Sequence, residues 1–189
     1  MQKKIAGLVL AVSLIAPLSA ARAAEVMHLS SNNLFAGANS FDEATQTTTS
    51  VFVTREKTKG QPRDSIGVVI SGPSGFSFLS GVLPAGALSI NKKKASLDVV
   101  IGDIAVIDTT GDLPADGVIS IDWDAGDVER TSGDVVFEPG PGVRVHIHGH
   151  RTFAPAAIDG SVLGTALVAP TGDISTVHDT VMIHISSTP

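Results

Sequence analysis

The sequence predicts an all-β protein, most simply an antiparallel β-sandwich, with a jelly-roll or a closed β-barrel as the alternatives. Three observations carry this. Apolar residues come in short runs or in strict alternation, never at the three-to-four spacing of an amphipathic helix. Those runs are rich in Val, Ile and Thr, which fit a pleated surface. Gly, Pro, Asp and Asn break them at short intervals, as in "SGPSG", "DTTGDLPADG" and "EPGPG", where Pro presets φ and Gly admits positive φ.

The chain opens on "MQKKIAGLVLAVSLIAPLSAARAAEV". Lys3 and Lys4 precede an apolar run from Ile5 to Leu18, and Ala21-Arg22-Ala23 offers small residues at a cleavage site. This is the layout of a secretory signal peptide. The apolar run is too short to cross a bilayer comfortably, so no membrane span is expected after its removal. Residues 1–23 are read as the leader and residues 24–189 as one exported β domain, periplasmic or secreted. No linker, repeat or low-complexity tail divides it.

The candidate strands are Glu25–Ser31, Thr48–Arg55, Ser65–Ser71, Gly75–Leu79, Ala87–Asn91, Ser96–Asp108, Gly117–Trp123, Gly133–Glu138, Gly142–Arg151, Asp159–Ala169 and Asp179–Ser186. Ser96–Asp108 is long, and Gly102 marks a bend or bulge within it. Asn32–Gln46 is the least regular stretch. It reads as a loop, or as one helical turn, because Ser40 and Glu43 have capping-box spacing. "NKKKAS", with Lys92 to Lys94, reads as a solvated hairpin loop whose charge discourages edge-to-edge pairing.

Composition narrows the function classes. Without Lys3, Lys4 and Arg22 the mature chain keeps ten basic residues against nineteen acidic ones, a net charge near −9 with neutral histidines. Such a chain is a poor partner for nucleic acid or an anionic membrane. The absence of cysteine removes disulfides, thiol nucleophiles and a lipoprotein anchor. No G-x-S-x-G elbow or phosphate-binding glycine loop occurs. With no Tyr and one Trp, the aromatic platforms that stack sugars are scarce. "DWDAGD" echoes a calcium loop but lacks its fifth-position ligand and distant Glu.

One segment concentrates chemistry. "GVRVHIHGHR", residues 142–151, holds three of the six histidines of the chain. On a strand, Val143, Val145 and Ile147 point to one face, and Arg144, His146, His148 and His150 to the other. Side chains two apart on one face lie about 7 Å from each other. Two imidazoles can then reach one metal, while a third, a further step along, reaches less easily. Zinc requires three or four ligands, so another must come from a neighbouring strand. His184 is the first choice, and His178, Asp122 and Asp124 are others. The candidate metal set is therefore His146, His148, His150 and His184, with zinc as the representative transition metal. The plainer reading is a wet sheet face, its basic stripe paired across strands with Asp122, Asp124 or Glu138.

Gly140, His146 and His148 have the spacing of the opening of the first cupin motif, and Gly160 falls in register with its closing glycine. Gly164, Pro170 and Gly172 are spaced as in the second motif. Over about 40 residues the segment resembles the cupin family, and the resemblance implies a metal held by His146 and His148. Two of that family's four ligands have no counterpart: its Glu position is Phe153 and its second-motif His position is Ser175. Asp179 stands at the final Asn position.

With no complete catalytic constellation in the sequence, the expected role is non-enzymatic binding or structure. Metal binding on the His146/His148 strand is the alternative. A third reading is assembly, with a protein partner or by self-association through sheet edges, because exported β domains offer open edges to incoming strands.

Overall fold

The computed structural model describes residues 25–57 and 62–186. The expected leader, residues 1–23, lies outside the described residues. The described residues run through twelve strands: β1 (Glu25–Asp42), β2 (Thr47–Lys57), β3 (Arg63–Gly72), β4 (Gly75–Val82), β5 (Leu88–Ile90), β6 (Lys94–Val100), β7 (Ala105–Thr110), β8 (Val118–Ala125), β9 (Glu129–Gly140), β10 (Val143–Val162), β11 (Thr165–Ala166) and β12 (Thr171–Ile185), with one 3-10 turn at Ile101–Asp103. All pairings are antiparallel. Among the described residues no helix is long and apolar enough to cross a membrane.

The strands form one open sheet in the order β5-β6-β8-β10-β12-β1-β2-β3-β4-β7, with β9 and β11 attached to β10. The sheet folds over so that its two ends share a core. Leu34, Val51, Val53, Val68 and Leu79 from one part meet Leu97, Ile119, Ile121 and Trp123 from the other in a single apolar cluster. Alternation sets this up: β6 and β8 each bury every second residue. Trp123 is 1% exposed, and its indole N–H donates to the Gly37 carbonyl oxygen of β1 at 2.9 Å. Arg55 of β2 makes a forked pair with Asp64 of β3, at 2.7 and 2.6 Å, and also donates to the Leu88 carbonyl of β5 at 2.7 Å.

The all-β expectation holds, and several boundaries move. Asn32–Gln46 is not a loop or helical turn: β1 continues to Asp42 and a turn follows. Ser40 does not cap a helix. Its hydroxyl donates to the Val168 carbonyl and accepts from the Val168 N–H, while the Asp42 carboxylate accepts from the Ala44 N–H and the Thr45 hydroxyl to hold the turn. Gly102 does break the long candidate strand, splitting it into β6, the 3-10 turn and β7. A side chain there would press on the Ala115 carbonyl, 2.9 Å from the Cβ position. In the "NKKK" hairpin, the Asn91 side chain accepts from the Lys93 and Lys94 N–H groups.

The strand expected to end at Arg151 runs on to Val162. Pro155 does not break it because β10 changes partners there. β9 pairs as far as Phe153, and β8 pairs from Ala156 onward. A missing N–H is tolerated where the ladder on one side is already interrupted.

Candidate functional site: a ribbon with histidines on one face

Beyond the shared core, four strand segments continue as a two-sided ribbon in the order β9, the first half of β10, the second half of β12 and the first half of β1. β2 joins β1 only from Asn32 onward. Among the described residues the ribbon has two edges without a further strand, β9 and the start of β1.

Directly opposed residues share a face, so the registers assign each side. One face carries Arg144, His146, His148 and His150 from β10. Opposite them on β12 stand His184, Met182, Thr180 and His178, and on β1, Val26 opposes His184 and His28 opposes Met182. All six histidines of the chain thus lie on one face. The other face carries Val135 and Phe137 of β9, Val143, Val145 and Ile147 of β10, Val181, Ile183 and Ile185 of β12, and Met27 and Leu29 of β1. The apolar face ends at a row of Gly133, Gly149, Asp179 and Ser31. There the Asp179 carboxylate sits 2.8 Å from where a Gly149 Cβ would be.

The centre of the histidine face is Asp134, which opposes His148 on the edge strand β9. One carboxylate oxygen accepts from His146 Nε2 at 3.0 Å and from His148 Nδ1 at 2.6 Å. His148 Nε2 then meets His150 Nε2 at 2.7 Å, the rings edge to face with centres 4.4 Å apart. A carboxylate only accepts, so both nitrogens facing it donate. In neutral His148 the Nε2 is then the acceptor, and His150 donates to it. The two histidine hydrogen bonds, His148's first, hold the Asp134 carboxyl below the ordinary aspartate range.

The sequence-derived set is only partly assembled. His146 and His148 do not bridge one point but share Asp134. His150 is in direct contact with His148 and opposes His178, because β12 begins early enough to include residue 178. His184 opposes Arg144 instead and lines a shallow hollow of about 600 Å³ at the ribbon tip with Glu138, Arg144 and His146. Asp122 and Asp124 lie on β8, paired with β6 and the far half of β10, away from the ribbon. Among the described residues no group of three or more His, Cys, Asp or Glu side chains is arranged to hold a metal ion, so a four-histidine zinc centre is not formed. The cupin positions also fail to gather: Phe153, Ser175 and Asp179 lie on the face opposite the histidines.

Asp134 is not among the acids the sequence singles out, because Asp122 and Asp124 show the clearer alternation, with Ile121 and Trp123. The signal was present: a hairpin centred on Pro141 places residues 134 and 148 at equal distances from the turn. Comparison with family models, curated proteins and solved structures finds no match.

Proposed function

We propose that this is an exported, non-enzymatic binding protein that works by self-assembly, with the apolar ribbon face as its docking surface. One observation carries the reading. Met27, Leu29, Val135, Phe137 and Ile185 keep between 38% and 48% of their surface exposed, along the two edge strands and the tip of one ribbon face, while Val145 between them is buried. These five alone leave on the order of 400 Å² of apolar surface open, about the size at which patches on soluble monomers signify interaction. They supply roughly half of the ~800 Å² per partner of a standard interface.

A second copy is the occupant that fits best. The face is apolar between Glu25, opposite Ile185 at one end, and Asp179 at the other, and a two-fold pair would bring two such surfaces together. Charged residues elsewhere keep the net charge near −9, which opposes indiscriminate aggregation. The leader at residues 1–23 supports export to the periplasm or beyond the cell. Sedimentation velocity of the mature chain from 1 to 100 μM is the test. We expect a dimer or larger closed species, and a monomer in Leu29→Lys and Val135→Lys with unchanged circular dichroism. A wild-type monomer throughout that range would reject self-assembly. Co-sedimentation only with another exported protein would reassign the docking surface to that partner.

A further inference from the structure

The histidine face is independent of the apolar face, and its geometry points to a second property. We propose that His148 and His150 form a two-imidazole site for a divalent transition metal of tetragonal preference, Cu(II) first, oriented by Asp134.

The orientation comes first. Asp134 accepts the Nδ1 proton of His148, which leaves the Nε2 lone pair as an acceptor, filled in this structure by the His150 N–H. A carboxylate holding the far nitrogen of a ligating histidine is the usual way such rings are aimed and made more basic. His150 needs only to carry its proton on Nδ1, toward solvent, for its own Nε2 to become the second ligand. No net proton is gained or lost in that tautomer change.

The spacing selects the metal. The two Nε2 atoms stand 2.7 Å apart. With metal–nitrogen bonds of about 2.0 Å, neighbouring ligands at a right angle are separated by about 2.8 Å, and ligands at a tetrahedral angle by about 3.3 Å. The observed distance suits the square arrangement of Cu(II) or Ni(II) and is too short for tetrahedral zinc. The ring centres give an independent check. A straight N–H···N bond of this length would hold the centres about 5 Å apart, but they are 4.4 Å apart. If the rings incline equally, both nitrogens face a common point roughly 2 Å from each, at about a right angle. Water completes the coordination, and both rings are open enough to admit it: His148's side chain is 37% exposed and His150 is exposed. His178 stands directly across from His150 on β12, and His146 is bound to the same Asp134 oxygen as His148. His184 and His28 lie at least two rows away along the strands and take no part.

The test uses untagged mature protein titrated with CuCl2 near neutral pH and read by calorimetry and electron paramagnetic resonance. One equivalent should bind, with a tetragonal signal split by two imidazole nitrogens. His148→Gln and His150→Gln should each weaken it at least tenfold. Asp134→Asn should weaken it about 10- to 100-fold, as loss of an orienting partner does, and a His28→Ala/His184→Ala double variant should leave it unchanged. Circular dichroism confirms that the variants are folded. Failure of the wild type to bind Cu(II) overturns the site. So does undiminished binding by the folded His148→Gln/His150→Gln double variant. Loss of the signal in His28→Ala/His184→Ala with retention in the His148/His150 variants overturns it equally, by placing the copper at the ribbon tip.

Discussion

Asp134 illustrates how much one exposed residue can organise. Its carboxylate connects His146 and His148, and through His148 reaches His150. Its folded pKa is depressed, so the interaction favours the folded state above the ordinary aspartate range. That contribution disappears as pH falls through the depressed value, below about 4. A carbon-13 titration of the Asp134 carboxyl should show a midpoint below that of a free aspartate, returning toward it in His148→Ala. Trp123 is the opposite kind of residue, buried and held by one hydrogen bond to Gly37. Trp123→Phe removes the donor and part of the ring volume. It should cost about 2–4 kcal/mol in urea unfolding.

At the scale of elements, the long strands β1, β10 and β12 each lead two lives. Their core halves are sandwiched: Leu34, Ala36 and Ala38 of β1 and Ile174 of β12 are buried. Their outer halves form the ribbon, where the same face carries histidines and where, on the opposite face, Met27, Leu29, Val135 and Phe137 stay exposed while Val145 is buried. Local stability follows buried apolar contact. Amides of β9 and of the ribbon half of β10 should therefore exchange with solvent before those of β2 and β3, as measured by native-state hydrogen exchange. Equal protection across both would contradict this. β9 is also a long, open edge of twelve residues, with charge at Glu129, Arg130, Asp134 and Glu138. Charges along an edge discourage unplanned strand addition, which favours the apolar face over the edge as the proposed docking surface.

For the whole molecule, two features dominate. The first and last strands of the described chain pair along fifteen residues of register, from Glu25 opposite Ile185 to Asn39 opposite Thr171. Closing so long a loop before it is rewarded slows folding. Refolding should take milliseconds to seconds, and stopped-flow fluorescence of Trp123 can follow it. The second feature is Arg55, whose forked pair with Asp64 also reaches the Leu88 carbonyl across to β5. Arg55→Met strands a mostly buried carboxylate and should cost about 3 kcal/mol.

Strand content was legible because it depends on local alternation and on Val, Ile and Thr, which each segment shows by itself. The break at Gly102 and the lysine hairpin were legible for the same reason. The course of β1 through Asn32–Gln46 was not, since "NNLFAGANS" puts Asn32 and Ser40 on the same side as the buried Leu34, Ala36 and Ala38, and only its neighbours β2 and β12 make it a strand. The histidine face was half legible. Alternation put His146, His148 and His150 together, and also placed His184 on the polar side of its own strand. That Asp134 would be their partner, that His178 would stand opposite His150, and that the alternating Val and Ile of the ribbon would face outward rather than into a core were decided by register and by where the second layer stops. Those are long-range facts. A sequence specifies which residues share a face of one strand, because the backbone repeats every two residues. Which strand lies beside it, and whether anything covers it, depends on pairings between segments, 14 residues apart for Asp134 and His148, 28 for His150 and His178, and more than a hundred for β1 and β12.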